Sequence, residues 1–174
     1  MALVLHGPVQ SALVSAALAL SQSDLTPGDR AKIRTNIDEA LAHIDSDHVR
    51  SPNLDLALAE VSKVWEFSCE INSHVDPRLR AQLEIDPDLR VCLGEIIREG
   101  VSNAIRHGAA THITIDISHH DEKIVRISIV DNGSVLPAAV IPGIGSGILE
   151  ELTLDWTRVS DSSATTLTAD ILLA

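Results

Sequence analysis

Apolar residues recur every three to four positions over the first fifty residues, and this spacing predicts two amphipathic helices. One helix is expected over residues 2–22 and the other over residues 27–48, with Thr26 and Asp29 forming a capping box between them. Two such helices make an antiparallel hairpin with one apolar seam, which a second copy would complete as a four-helix bundle. The seam of the first helix consists of Leu5, Val9, Leu13, Ala16 and Leu20.

The pattern changes at Ser51-Pro52-Asn53, where we place a boundary between two domains, residues 1–50 and residues 52–174. In the second domain we expect, in order, a helix, a strand, a long helix, a β-hairpin, a glycine loop, a short helix and a strand. Together the two domains predict an α+β chain, in which the helical hairpin precedes an α/β sandwich with a mixed sheet. The clearest of these elements are a strand over residues 67–75, a long helix over residues 87–107 and a last strand over residues 165–173.

The composition narrows the classes of partner. With 13 Lys and Arg against 25 Asp and Glu, the net charge is -12, which disfavours binding to nucleic acid or to anionic lipid. Aromatic residues make up only 2%, so few rings are available for stacking on bases. The apolar start of the chain is interrupted at His6-Gly7-Pro8 and is too short to cross a bilayer. We expect a cytoplasmic segment without membrane contact, which forms part of a longer protein, because His6 lies so near the first residue.

Polar residues line one stripe of the long helix. Glu99, Asn103 and His107 are spaced by four and therefore share one helix face. The amide oxygen of Asn103, beside a carboxylate, suits a hard cation such as Mg²⁺. Glu99 suits orienting or deprotonating a water or a hydroxyl. A solvated polar face would explain the same stripe equally well.

Two glycine-containing motifs follow the predicted β-hairpin. Asp131 ends a strand, where its carboxylate can accept a hydrogen bond from an exocyclic amine, and Gly133 lets a ring approach the backbone closely. A plain turn is the alternative for this motif. Gly143, Gly145 and Gly147 alternate ahead of the short helix, and such a loop can hold phosphates on its amides. A flexible loop without a ligand is the alternative there.

The order and spacing of these three motifs resemble the nucleotide-binding domain of the GHKL superfamily, over about residues 52–174. Within that superfamily the pattern is most similar to bacterial sensor histidine kinases. The resemblance implies ATP and Mg²⁺ as ligands, with Glu99 acting on the attacking group and Asn103 binding Mg²⁺. It also implies adenine contacts by Asp131 and Gly133 and phosphate contacts by Gly143, Gly145, Gly147, Arg106 and His107.

The start of the chain fits the same family. Leu5-His6-Gly7-Pro8-Val9-Gln10 resembles the phosphoacceptor box of a dimerisation and histidine phosphotransfer hairpin, which implies that His6 is the nucleophile. The family further implies a homodimer through the hairpin and a response regulator that receives the phosphate on an Asp. Gly7 stands where many related kinases carry an acid, so Glu99 or water would have to take the proton of His6.

Two other functions stay open on the sequence alone. The chain could be a degenerate GHKL module that dimerises or binds nucleotide without kinase turnover. Equilibrium binding of an ATP analogue tests the kinase, because absence of binding at millimolar nucleotide would exclude it. It could also be a GHKL protein-serine kinase of the anti-sigma type. Those kinases generally lack an N-terminal helical hairpin, which makes this the weaker alternative.

Overall fold

The computed structural model of the chain describes residues 7–21, 24–42, 53–134 and 144–173. The predicted nucleophile His6 and the first loop glycine, Gly143, lie outside these ranges. The elements in chain order are α1 (Gly7–Leu20), α2 (Pro27–Ala42), α3 (Leu54–Trp65), β1 (Glu70–Val75), a 3-10 turn (Pro77–Leu79), α4 (Arg80–Ile85), α5 (Pro87–Gly108), β2 (His112–His119), β3 (Ile124–Asp131), α6 (Ile144–Leu152), β4 (Asp155–Ser160) and β5 (Thr165–Leu172).

Five strands form one mixed sheet in the order β1-β2-β3-β5-β4. β1 runs parallel to β2, and the other neighbouring strands are antiparallel. Alternate residues of the three central strands are buried, as expected for a sheet with one covered face. This confirms the predicted α+β class with a mixed sheet. The buried row consists of Ile113, Ile115, Ile117, Val125, Ile127, Ile129, Leu167, Ala169 and Ile171.

The long helix α5 packs across this buried face. It begins where the sequence predicts, because Asp86 accepts a hydrogen bond from the amide of Leu89 at 2.9 Å and Pro87 occupies the first turn. Burial of each large aliphatic side chain stabilises the folded state by roughly 1.5–3 kcal/mol. The helix is thereby held firmly on the sheet, with its polar stripe at the rim. Its fully buried residues are Leu93, Ile96, Ile97 and Val101.

The helical hairpin forms as predicted at its turn. Thr26 accepts a hydrogen bond from the amide of Asp29 at 3.2 Å, and Asp29 accepts one from the amide of Thr26 at 2.9 Å. This reciprocal pair is a capping box. The hairpin also packs against α3, because Ser15 donates a hydrogen bond to the carbonyl of Val64 and Asn36 donates one to the carbonyl of Lys63 at 3.4 Å.

The residues of the predicted seam of α1 are not all buried within the single chain. Ala16 is buried as expected, whereas Leu13 and Leu20 are 50% and 49% exposed. The contacts of α1 with α2 and α3 instead use small residues, which let the helices approach closely. Leu13 and Leu20 are left on an uncovered face of the hairpin. The buried positions of α1 are Ala12, Ser15, Ala16 and Ala19.

Three further expectations need correction. The strand predicted from Phe67 begins only at Glu70, and Phe67 packs instead against the cluster formed by Ala16, Ala19 and Ile33. The short helical segment over residues 77–85 was not expected. The edge strand β4 was also not expected, because most of its residues are exposed and the apolar alternation that marks a strand is missing. No helix among the described residues is long and apolar enough to cross a membrane.

Candidate functional site

The polar stripe of α5 carries a direct side-chain contact. Asn103 donates a hydrogen bond through Nδ2 to Oε1 of Glu99 at 2.6 Å. This bond fixes the orientation of the amide, and no described residue donates to the remaining oxygen, Oδ1. A carbonyl-type oxygen held in this way beside a carboxylate suits coordination of a hard cation. Arg106 and His107 are exposed in the last turn of the same helix.

Asp131 ends β3 and is nearly buried, with 7% of its surface exposed. Its Oδ1 accepts a hydrogen bond from the amide of Gly133 at 2.8 Å. Burial raises the pKa of Asp131 above its usual value, and this effect is opposed by the Gly133 hydrogen bond and the positive charge of Arg158. Within the described chain, Oδ2 has no hydrogen-bond partner. Asp131 can therefore accept a further hydrogen bond from a ligand.

The turn after β3 is held tightly against the end of α5. The amide of Ser134 donates to the carbonyl of Gly108 at 2.6 Å. A Cβ atom on Gly133 would lie 2.7 Å from Oδ1 of Asp131 and 2.7 Å from the carbonyl oxygen of Gly108. Only glycine fits there without displacing backbone. Since Ala109 takes a left-handed conformation with φ of 52°, the chain reverses directly after α5 and brings this turn and the helix together.

Asn132 anchors the same turn and was not singled out as a separate functional residue by the sequence. Its side-chain oxygen accepts hydrogen bonds from the amides of Thr111 and His112, both at 2.9 Å. These bonds tie the turn after β3 to the start of β2. Asp131 is therefore positioned by contacts on both sides of the motif.

Asn103 of α5 and Asp131 of β3 line one cavity between the helix and the sheet. The other predicted residues of α5, Glu99, Arg106 and His107, are not among its lining residues. A Cβ atom on Gly100 would lie only 2.5 Å from Cδ1 of Ile129, so the helix approaches the sheet closely here. The walls combine aliphatic side chains with the carboxylate of Asp131, the amide of Asn103 and further polar residues. The cavity is lined by Gly100, Asn103, Ala104, Gly108, Ile129, Asp131, Ser134, Arg158, Thr165 and Leu167.

The glycine motif after β3 differs from the expected loop. Helix α6 begins at Ile144, so Gly145 and Gly147 lie in its first turns and not in a loop ahead of it. A Cβ atom on Gly147 would meet nothing within 4 Å, which means that this side of the helix is open. The first amides of a helix have no partners within the helix and can hold an anion. Gly143, the remaining glycine of the motif, is among the residues that the structure does not describe.

Two polar residues of the cavity wall, Thr165 and Arg158, were not predicted as site residues. Thr165 was predicted only as the first residue of a strand, yet its side chain is buried and bonded to the hydroxyl of Ser160 at 2.9 Å. Arg158 lies on β4, the strand that the pattern did not reveal, so no signal pointed to it. Among the residues with a described placement, no group of three His, Cys, Asp or Glu side chains could hold a metal ion. Any Mg²⁺ here would rest on Asn103 and on oxygens of the ligand.

Comparison with known proteins agrees with the geometry. Residues 89–168 match the family of histidine kinase-, DNA gyrase B-, and HSP90-like ATPases. The nitrate/nitrite sensor protein NarX of Escherichia coli K12 is 27% identical over 90 residues, which are 52% of this chain and 14% of NarX. The chain thus spans about one seventh of that curated relative.

Solved structures show the same fold over nearly the whole chain. The histidine kinase domain of the Erythrobacter litoralis EL346 blue-light activated histidine kinase superimposes with a TM-score of 0.57 at 12% identity, covering 98% of this chain and 86% of that one. Full-length ShkA in complex with AMPPNP gives a TM-score of 0.55 at 17% identity, covering 96% and 46%. Residues 89–168 therefore match a GHKL-type ATPase domain, and the chain shares the fold of these histidine kinase structures.

Proposed function

We propose that this chain is the transmitter part of a two-component system, an ATP-dependent histidine kinase that phosphorylates His6 and passes the phosphate to an Asp of a response regulator. The observation that supports it best is the cavity in which Asn103 of α5 and Asp131 of β3 meet. Asp131 can accept a hydrogen bond from the amine of adenine, and Asn103 can bind the cation that accompanies the phosphates. The two residues therefore match the base and the phosphate end of a nucleoside triphosphate. The family match over residues 89–168 supports the same ligand.

The residues of the base side have separate roles in this proposal. Asp131 accepts a hydrogen bond from the exocyclic amine of adenine through Oδ2, because Oδ1 is already bonded to Gly133. The backbone of Gly133 lies beneath the ring, where a side chain would collide with Gly108. The aliphatic walls at Ile129 and Leu167 exclude water from the ring faces.

The phosphate side is built by α5 and α6. Gly143, Gly145 and Gly147 offer backbone amides, and Arg106 and His107 add positive charge at the end of α5. Asn103 holds Mg²⁺ through Oδ1, and this ion when bound neutralises charge on the phosphates. These groups allow an acidic chain to bind a polyanion without a basic surface.

In the transfer step, a ring nitrogen of His6 attacks the γ-phosphorus as the bond from that phosphorus to the β-γ bridging oxygen breaks, and ADP leaves. The proton displaced from the imidazole passes to Glu99 or to water. Glu99 is suited to this role because its hydrogen bond with Asn103 keeps its carboxylate next to the phosphate end of the site. A second transfer then moves the phosphoryl group from His6 to the carboxylate of the response regulator.

The hairpin supports a homodimer in this proposal. Leu13, Leu18, Leu20 and Leu41 are 38–50% exposed, although they are large and apolar. Pairing two hairpins into a four-helix bundle would cover these side chains. We place the segment in the cytoplasm, where ATP and response regulators occur, without nucleic acid or membrane as a partner.

Phosphotransfer labelling tests the proposal directly. With γ-labelled ATP and Mg²⁺, the wild type should acquire an acid-labile, alkali-stable phosphate. The variant His6→Gln should carry no label, and Asn103→Ala should lose most of it. The exposed His74 of β1 provides the matched control, since His74→Gln should label like the wild type. Label that persists in His6→Gln would show that another residue is the acceptor.

One observation favours the second candidate, a nucleotide-binding module without turnover. Gly7 follows His6 where many related kinases carry an acid that deprotonates the imidazole. In that case ATP would bind to the wild type with a measurable dissociation constant, while no label would appear even after long incubation. Absence of ATP binding at millimolar nucleotide would contradict both candidates.

A further inference from the structure

Arg158 lies at the edge of the candidate nucleotide site and has no role in the transfer chemistry above. Its cross-strand partner in β5 is Leu167, whose partner in β3 is Ile129. Paired residues of antiparallel strands point to the same face of a sheet. Leu167 and Ile129 are buried beneath α5. The side chain of Arg158 therefore lies on the same, helix-covered face, on the edge strand of the sheet.

This position places Arg158 among the residues that line the cavity containing Asp131. Arg158, Asp131 and Thr165 all line it. The charge of Arg158 acts on Asp131, since it lowers a pKa that burial raises. A hydrogen-bond acceptor on β3 and a group with several donors on β4 therefore face the same small space.

Most other described arginines have carboxylate partners, whereas Arg158 has no ion pair within the described chain. Arg126 gives the sharpest contrast, because it lies on β3, beyond β5 in the same sheet, and on the opposite face. Its guanidinium donates two hydrogen bonds to Asp170, both at 2.7 Å. Arg158 keeps its donors for a ligand. The arginines with a carboxylate partner are Arg34, Arg78, Arg80, Arg98 and Arg126.

Adenine presents complementary groups side by side. Its exocyclic amine is a donor, and the adjacent ring nitrogen N1 is an acceptor. We propose that Arg158 determines base specificity by donating a hydrogen bond to N1 of adenine while Asp131 accepts one from the amine. Guanine in the same orientation presents a carbonyl to Asp131 and an N–H to Arg158, so both contacts become unfavourable. This inference rests on the proposed function, because it requires that the site binds a nucleotide.

Nucleotide analogues test the contact atom by atom. We would measure dissociation constants by calorimetry for ATP, 1-deaza-ATP and 7-deaza-ATP with the wild type, Arg158→Ala and the control Arg126→Ala. A hydrogen bond from a charged donor implies that Arg158→Ala binds ATP about tenfold more weakly. The wild type should bind 1-deaza-ATP, which lacks N1, about tenfold more weakly than ATP. Arg158→Ala should lose nothing further with 1-deaza-ATP, and Arg126→Ala should match the wild type for all three ligands.

The other outcomes separate the two proposals. If Arg158→Ala lowered the affinity for 1-deaza-ATP as much as the affinity for ATP, the N1 contact would be overturned. Unchanged ATP binding in Arg158→Ala would overturn it as well. Failure of the wild type to bind any of the three would overturn the proposed function itself. Thermal melting of each variant checks folding, and exposed Arg158 should be replaceable without a change in melting temperature. If Arg158→Ala did not fold, equal affinity of the wild type for 1-deaza-ATP and 7-deaza-ATP would still overturn the contact.

Discussion

The hairpin and the sandwich bury their apolar residues in different ways. In the sandwich, branched aliphatic side chains of α5 and the sheet are almost completely buried. In the hairpin, the buried cluster is formed mainly by Ala16, Ala19 and Ile33, and four of the five leucines whose side chains are described are exposed. The sandwich has a core that one chain completes. The hairpin leaves most of its leucines exposed, as the proposed dimerisation would require.

The largest effect should come from truncating the sandwich core. Ile97 of α5 is fully buried, so Ile97→Ala should lower the free energy of unfolding by about 2–5 kcal/mol. Leu13→Ala removes a similar volume from an exposed site of α1 and should change the stability of the monomer little. Urea denaturation at low protein concentration measures both. Equal destabilisation by the two variants would contradict the contrast between the regions.

Two glycine substitutions compare a tightly packed site of the sandwich with an open one. Gly133→Ala places a Cβ against Asp131 and Gly108 and should destabilise the protein by about 1–3 kcal/mol. It should also weaken ATP binding, because the turn beneath the base must shift. Gly147→Ala, in the open first turns of α6, should stabilise the fold by up to about 1 kcal/mol. Melting curves with and without ATP measure both effects, and similar destabilisation by the two variants would contradict the tight turn.

Elements whose hydrophobic pattern matches the face that they bury could be predicted from the sequence. α5 was predicted from Asp86-Pro87 onwards, and β2 and β3 from strict alternation, because each buries one regular face against a neighbour. The capping box at Thr26 and Asp29 was predictable for the same local reason. Of the candidate site residues on these elements, Glu99 and Asn103 were predicted from their spacing, and Asp131 from its place at the end of a strand.

Tertiary contacts account for what the sequence did not reveal. β4 forms by pairing with β5 at the edge of the sheet, and its exposed residues need no apolar period, so Arg158 stayed hidden. Which apolar residues of α1 are buried within the chain was not predictable, because close helix packing buries the alanines and leaves Leu13 and Leu20 exposed. Gly145 and Gly147 suggested a loop by their intrinsic preference, yet both lie within α6. In each case the packing partner, and not the local sequence, decided the outcome.

A smaller effect should appear in the assembly of the hairpin. Leu13→Asp or Leu20→Asp would place a charge in the proposed bundle interface and should raise the dimer dissociation constant at least about tenfold. Leu56 of α3, which is 45% exposed, provides a matched control, since Leu56→Asp should not affect dimerisation. Sedimentation equilibrium over a range of concentrations measures this. A dimer that tolerates aspartate at both α1 positions would show that this face is not the interface.

The smallest effect should come from the two buried carboxylates, which are tuned in opposite directions. Burial raises the pKa of Asp131, so its ionised form destabilises the folded state once the pH rises through that pKa. The hydrogen bonds and the ion pair with Arg78 lower the pKa of Asp76 to about 2. The stability that Asp76 contributes is therefore present above its ordinary pKa near 3.8 and is lost as the pH falls towards 2.

At pH 7, Asp131→Asn should therefore raise the melting temperature of the free protein, and Asp76→Asn should lower it. The gain from Asp131→Asn should shrink as the pH falls towards 4, because the wild-type carboxyl then becomes neutral. A loss of stability in Asp131→Asn at pH 7 would show that Asp131 serves the fold, whereas a gain combined with weaker ATP binding would show that this carboxylate is retained for the ligand.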